Sequence, residues 1–327
     1  MSPERASDSK AVTVSGPGAA NELTICGPDE QLLAGLKEGG LDCEVVIWDG
    51  RSEPPAGLEA TRVLIAGYAE KTFAASGLVR LPHLELIQLI SAGYDEWLAA
   101  LPPRVVLANG RGVHGASTAE LAVAGVLALV RGLPFYLFEQ AAHRWSPQHR
   151  GEISGRNVLM IGSGDIGSRI AQALEVFGAR VTLVGRTPRA GIAGIESLPE
   201  LLPHGEIVVL ALPHTPQTDQ LVDDKFLSAL PDGAIVANVA RGRVVDTEAL
   251  VSHLRAGRIS AFLDVTDPEP LPQEHPLWAM PNVIITPHVG GGTERWRERA
   301  VALIADQLGR LIDGRPLINV VARGSGG

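Results

Sequence analysis

The sequence predicts an α/β protein of two domains with parallel sheets. Three observations lead there. Short apolar runs of strand length alternate with helical stretches, the pattern of a parallel sheet. One such run, residues 157–161, passes directly into Gly162-Ser163-Gly164-Asp165-Ile166-Gly167 and then into apolar residues at helical spacing, Ile170, Ala173, Leu174 and Phe177. The length, 327 residues, is enough for two domains and a large core.

Taken in order, residues 22–26 read as a strand and 29–37 as a helix closed by Gly39-Gly40. Further strands are expected at 43–48, 62–66, 84–90 and 105–108, so residues 22 to about 114 make one small α/β unit. Residues 116–131 read as a helix apolar on nearly all sides, which must be covered by another domain or another subunit. Pro134 breaks it, and a second helix is expected to run to Trp145. The glycine-rich unit follows, with its helix over 168–177. Its later strands are expected at 180–184, 207–212, 234–239, 260–265 and 283–286, with helices at 223–230 and 246–256. The helix over 293–312 has a charged face at Glu294, Arg295, Arg297, Glu298 and Arg299, and packs Val301, Leu303, Ile304 and Leu308. It is expected to return to the first domain. That makes residues 1–114 and 294–327 one domain, flanking a second of residues 115–293 with a cleft between them.

Composition excludes several classes. The net charge of −9, with no Lys/Arg-rich run, argues against nucleic acid as a partner. Cys26 and Cys43 lie in or beside apolar runs and read as core residues; two cysteines make neither a disulfide framework nor a usual zinc set. Residues 1–21 are polar and rich in Ser, Gly and Ala, and read as a disordered tail rather than a signal peptide. The longest apolar stretch, 121–130, is too short to span a bilayer, so no membrane is expected and the location reads as cytoplasmic.

The glycine turn carries the first chemical reading. Gly162 permits the tight turn, Gly164 lets backbone approach a pyrophosphate, and Gly167 lets helix and strand pack closely. The helix N-terminus, with the backbone of Asp165 and Ile166, then faces the anion. Three more residues stand at expected strand ends, where open α/β sheets bind ligands. They are Arg241 in Asn238-Val239-Ala240-Arg241-Gly242, Glu269 in Asp264-Val265-Thr266-Asp267-Pro268-Glu269-Pro270-Leu271-Pro272, and His288 in Thr286-Pro287-His288. Singly, each has a plain structural reading: a solvated loop cation, a surface carboxylate, a satisfied buried histidine. His275 in His275-Pro276-Leu277-Trp278 reads as structural, His114 as a loop histidine, and His214 as a residue that could border a cofactor.

Together these segments resemble the D-isomer-specific 2-hydroxyacid dehydrogenase family. The resemblance runs from about residue 60 and also includes Asn109 and Thr118-Ala119-Glu120. It implies two flavodoxin/Rossmann-like domains with parallel sheets and catalysis in the interdomain cleft. Residues 1–114 with 294–327 would be the substrate-binding (catalytic) domain and 115–293 the dinucleotide-binding domain. It implies that His288 is the general acid toward the carbonyl oxygen, and the base in reverse, a role suited to a side chain that titrates near neutral pH. Glu269 would orient the His288 ring and favour its protonated form. Arg241 would bind both the carboxylate and the carbonyl oxygen of a 2-oxo acid and polarise the carbonyl. The loop Ser91-Ala92-Gly93 resembles the family's carboxylate cradle, through the N–H groups of Ala92 and Gly93. Asp264 resembles the aspartate that holds the nicotinamide carboxamide. Thr118 and Pro213 are carried over as cofactor neighbours. No metal is required, because the arginine does the electrophilic work, and a homodimer is expected.

The cofactor is read from the second strand of the glycine unit. An NAD site usually carries an acid about twenty positions past the glycine turn. Here Gly185 takes that place, and Arg186, Thr187 and Arg189 follow it. These would pair with a 2′-phosphate that a carboxylate would repel. NADPH is therefore the favoured cofactor, with NAD possible if the arginines are merely solvated. The leading reading is an NADPH-dependent reductase of a small 2-oxo acid, of the glyoxylate/hydroxypyruvate type. Two alternatives stay open. One is oxidation of another small anion such as phosphite; formate is disfavoured because family formate dehydrogenases resemble a pattern with glutamine at the place of Glu269. The other is a nucleotide-sensing binding role like that of the C-terminal binding protein co-repressors. Side-chain specificity would come from loops near Tyr68, 91–94 and His114.

Overall fold

The computed structural model describes residues 23–67 and 75–324, so the expected N-terminal tail and Tyr68 lie outside the described residues. The chain divides into two compact units, Met1–His114 with Glu294–Gly327, and Gly115–Thr293.

The first unit opens with β1 (Thr24–Gly27), α1 (Glu30–Glu38), β2 (Glu44–Ile47), β3 (Thr61–Ala66), α2 (Ala75–Leu78), β4 (Leu86–Leu89) and β5 (Val106–Ala108). Asp29 starts α1, its carboxylate accepting from the Leu32 N–H at 2.9 Å, and Leu32, Leu33 and Leu36 turn inward. The second unit begins with α3 (Gly115–Val130) and α4 (Leu133–Ala141). Then come β6 (Asn157–Ile161), α5 (Asp165–Val176), β7 (Arg180–Gly185), β8 (Ile192–Gly194), α6 (Leu198–Leu201), β9 (Ile207–Leu210) and α7 (Asp224–Ala229). It closes with β10 (Ala234–Asn238), α8 (Thr247–Arg255), β11 (Ile259–Leu263) and β12 (Val283–Ile285), and the chain returns to the first unit as α9 (Trp296–Ile312) and β13 (Val320–Arg323).

Among the described residues, each unit holds one sheet. The first runs β13-β5-β4-β3-β1-β2, parallel except for β13, which pairs antiparallel with β5. The second runs β12-β11-β10-β9-β6-β7-β8 and is parallel throughout. Strands buried on both faces need continuous apolar runs, and β6, β9 and β10 supply them. In the second sheet the strand order reverses between β6 and β9, and the glycine turn leaves β6 at that switch point. α9 packs on α1 and buries Ala300, Ile304 and Leu308 in the core of the first unit. Burial pushes the Cys26 thiol up to about 12 and raises that of Cys43, as suits core residues rather than nucleophiles.

Several expected boundaries change. The helix after Pro134 stops at Ala141, not Trp145. The Glu139 carboxylate takes the Arg144 guanidinium, with Arg144 Nε at 3.0 Å, and also the Ser146 hydroxyl. These bonds fold the chain back through His143, whose φ is +54°. α3 finds cover inside its own unit: Ala119, Ala122 and Val126 are buried against α5, β10 and β11. The exposed apolar surface lies instead on and beyond α4, at Leu133, Leu137, Phe138 and Trp145. In the first unit, 3₁₀ turns at Leu58–Ala60 and Asp95–Ala100 lead into β3 and β5. β8, α6 and β13 were not anticipated. Among the described residues no single helix is long and apolar enough to cross a membrane.

Candidate active site

The densest cluster lies beyond the carboxyl ends of β11 and β12. His288 follows β12 with φ +53°, a left-handed conformation that a histidine adopts only when its surroundings hold it there. Asp264, 3% exposed, does the holding. Its carbonyl accepts from the His288 N–H at 2.7 Å. Its Oδ1 accepts from the Thr286 hydroxyl at 2.6 Å and the Val289 N–H at 2.9 Å, and its Oδ2 from the Gly290 N–H at 3.0 Å. Thr118 of α3 touches the same turn, since a Cβ on Gly290 would stand 3.2 Å from Thr118 Cγ2. The His288 ring then meets Glu269 of the loop after β11, with Nδ1 and Oε1 2.5 Å apart. The carboxylate accepts, so Nδ1 carries the proton and donates it.

Arg241 stands on the turn after β10, and Asn238 shapes that turn. Buried to 1% exposure, Asn238 accepts from the Ala240 N–H at 3.0 Å and donates to the Arg241 carbonyl at 3.0 Å. The Arg241 guanidinium donates to the Ala240 carbonyl at 2.8 Å. A Cβ on Gly242 would fall 1.9 Å from the Thr266 carbonyl oxygen, so the Arg241 turn lies directly against the strand end that leads to Glu269.

The glycine turn can be tested for a nucleotide. A Cβ on Gly162 would meet the Ala211 carbonyl oxygen at 2.1 Å, and one on Gly167 would meet the Gly162 carbonyl oxygen at 1.8 Å, so packing alone demands both glycines. Gly164 differs. It has ordinary backbone angles, φ −83° and ψ −166°, and nothing lies within 4 Å of its missing Cβ. Here the protein leaves open space at the start of α5, a helix with no side-chain N-cap. Residues and geometry fit a bound pyrophosphate. Asp165 Oδ1 accepts from Arg169 Nε at 2.9 Å, while its buried Oδ2, with no hydrogen-bond partner among the described residues, abuts Gly115 of α3.

At the end of β7, Arg186, Thr187 and Arg189 are exposed. Arg189 Nη2 reaches back to the Ser163 hydroxyl at 3.0 Å, tying this loop to the glycine turn. Pro213 stands after β9, its carbonyl accepting from Thr218 Oγ1 at 2.8 Å. His214 turns to Asp219, Nε2 to Oδ1 2.7 Å, and Arg243 completes the cluster. The His214 hydrogen bond, aided by the Arg243 charge, holds the Asp219 carboxyl below the usual carboxylate range. His275 caps a 3₁₀ turn, as a structural residue should. His114 is buried, its ring 6.1 Å from that of Trp296.

In the first unit, Ser91 is buried and Ala92 and Gly93 are half-buried on the loop after β4, with Ser91 Oγ donating to the Gly93 carbonyl at 2.7 Å. Sequence reasoning missed Ser163 and the roles of Asn238 and Asp264. For Asn238 a signal existed: an asparagine opening an Asn-x-x-Arg turn is an Asx-turn former.

The family model for the D-isomer specific 2-hydroxyacid dehydrogenase NAD-binding domain matches residues 123–290. Among curated proteins, the human glyoxylate reductase/hydroxypyruvate reductase is 33% identical over 299 residues, 84% of this chain and 90% of the relative. A D-isomer specific 2-hydroxyacid dehydrogenase from Xanthobacter autotrophicus Py2, solved with NADPH and MES, superposes with a TM-score of 0.83 at 31% identity, covering 93% of this chain and 98% of that one. An NADPH-dependent glyoxylate/hydroxypyruvate reductase from Sinorhizobium meliloti, solved with NADP and malonate, gives 0.76 at 26% identity, covering 94% and 100%. The chain belongs to the D-isomer specific 2-hydroxyacid dehydrogenase family, and is an oxidoreductase that uses a nicotinamide cofactor.

Proposed function

We propose that this protein is an NADPH-dependent reductase of small 2-oxo acids, of the glyoxylate/hydroxypyruvate type. The observation that carries the cofactor is the end of β7. Gly185 stands where an NAD enzyme presents an acid, and Arg186 and Arg189 stand exposed beside it, the latter linked to Ser163 of the glycine turn. The relatives solved with NADPH and NADP support the same reading.

When bound, the reduced nicotinamide supplies the hydride. The chain does the rest. Gly162 to Gly167 and the start of α5 receive the pyrophosphate, with Thr118 and Pro213 bordering the cofactor and Asp264 offering a carboxylate to the carboxamide. Arg241 binds the carboxylate and carbonyl oxygen of the 2-oxo acid and draws electron density from the carbonyl carbon. The N–H groups of Ala92 and Gly93 share the carboxylate. His288 holds on Nε2 the proton that passes to the carbonyl oxygen, and Glu269 keeps the ring aligned through Nδ1. On this reading Met1–His114 with Glu294–Gly327 is the substrate-binding unit and Gly115–Thr293 the dinucleotide-binding one.

Purified protein should oxidise NADPH on addition of glyoxylate or hydroxypyruvate, faster than NADH at equal concentration. A wild type that prefers NADH at low ionic strength would overturn the NADP assignment. Turnover of phosphite with NADP⁺, and of no 2-oxo acid, would overturn the substrate class. A homodimer is part of the proposal, supported by the exposed Leu133, Leu137 and Phe138 of α4 and by Trp145. Sedimentation showing only monomer at micromolar concentration would overturn that.

A further inference from the structure

We propose that Asn109 is the positioning residue of a backbone anion cradle, aiming the Gly93 N–H beside that of Ala92 at the carboxylate of the substrate. The proposal rests on the 2-oxo acid reading and adds to it a residue that never touches substrate.

Three successive carbonyls on the loop after β4 are each pinned. The Ser91 carbonyl accepts from the Gly110 N–H at 2.6 Å. The Ala92 carbonyl accepts from Asn109 Nδ2 at 2.8 Å. The Gly93 carbonyl accepts from Ser91 Oγ at 2.7 Å. A trans peptide is planar, with its N–H pointing opposite to its C=O. Pinning the Ser91 carbonyl therefore sets the direction of the Ala92 N–H, and pinning the Ala92 carbonyl sets that of Gly93. Neither of these two N–H groups donates to an acceptor among the described residues. Two neighbouring donors, half-buried and fixed on the sides away from Gly110 and Asn109, suit a carboxylate.

Asn109 is itself held so that its amide cannot turn. It is 9% exposed. Its Oδ1 accepts from the Arg111 N–H at 3.3 Å, which assigns Nδ2 to the Ala92 side. Its main chain is fixed too, the N–H donating to the Asn319 carbonyl at 3.0 Å and the carbonyl accepting from Gln88 Nε2 at 3.2 Å. Gln88 in turn accepts from Gln307 Nε2 at 2.9 Å, both residues fully buried. A chain of buried amides thus runs from α9 to the loop. The cradle is set before an anion arrives, so binding does not have to order it.

Asn109→Ala removes the pin on Ala92 and adds no charge. It should raise KM for glyoxylate about tenfold, roughly the loss of one hydrogen bond to a charged group, and leave KM for NADPH within twofold. Oxalate, a dicarboxylate that cannot be reduced in this way, should lose the same factor in affinity by calorimetry. Ser91→Ala, a smaller change, should raise KM for glyoxylate about threefold and serves if Asn109→Ala does not fold. An unchanged KM for glyoxylate in the folded variant, or a parallel rise in KM for NADPH, overturns the proposal and leaves the 2-oxo acid reading intact. A wild type that reduces no 2-oxo acid, but binds oxalate more tightly than Asn109→Ala does, overturns the reading and supports the cradle. Binding of oxalate to neither protein, without turnover, overturns both.

Discussion

His288 and Arg186 each stand just past the carboxyl end of a parallel strand, β12 and β7, yet they are held in opposite ways. The His288 turn is saturated with hydrogen bonds. Its own N–H, the two that follow and its ring are all engaged, by Asp264 and Glu269. Arg186 is exposed and makes no hydrogen bond or ion pair among the described residues, and its loop is anchored to the glycine turn only through Arg189 and Ser163. The physical demands differ. Proton transfer needs a ring placed within hydrogen-bond reach of one atom, and a dense hydrogen-bond network supplies that placement. Recognition of a phosphate by charge tolerates distance and water, and an exposed cation serves.

Substitutions at the two loops should therefore differ in size and kind. The largest effect belongs to the residues proposed to carry the reaction. Arg241→Ala and His288→Gln should each lower kcat by 10²–10³-fold, about 3–4 kcal/mol, with NADPH binding retained by fluorescence titration. Near-normal rates in either would remove that residue from the mechanism.

Asp264→Asn tests the support of the turn. An amide nitrogen would face donors that now meet a carboxylate, so kcat should fall about 10–100-fold and Tm by several degrees. A loss confined to KM for NADPH would assign Asp264 to the cofactor alone.

At the other loop, Arg186→Ala should raise KM for NADPH roughly tenfold, leave that for NADH unchanged, and flatten the salt dependence of the NADPH reaction. It is a cleaner test than Gly185→Asp. A Cβ at Gly185 would stand 3.0 Å from Ser163 Oγ and 3.1 Å from Ile192 Cγ2, so that substitution also disturbs the anchor.

The smallest effect concerns Asp219. Its carboxyl is held below the usual range by His214 and then Arg243, so it stabilises the fold above the ordinary carboxylate pKa, and that contribution is lost as pH falls through the lower folded value. Asp219→Asn should lower Tm slightly at pH 7, with the deficit shrinking below about pH 4. A deficit independent of pH would assign the effect to packing.

Much of the site was legible as chemistry and little of it as geometry. Arg241, Glu269 and His288 could be picked out because each follows a strand-like run within a recognisable motif. The 2.5 Å contact between Glu269 and His288 crosses 19 positions of chain and is created by the pairing of β11 with β12. The end of α4 was misjudged because helical spacing continues past Ala141, while the bonds from Glu139 to Arg144 and Ser146 compete with further helix. β13 was missed because four residues beside a partner from the far end of the chain carry no periodic signal of their own.

The amino-acid order by itself determined most of the strands and helices, since apolar period and capping act over a few residues. It also determined which chemical groups stand at the strand ends, and the glycine turn that feeds α5. The fold alone decided which group each of them meets. Asn109 pins Ala92 from 17 positions away, and Gln307 reaches Gln88 from 219. Hydrogen bonds are short-ranged and directional, so partners distant in the chain are chosen only when the sheets and helices bring them within about 3 Å.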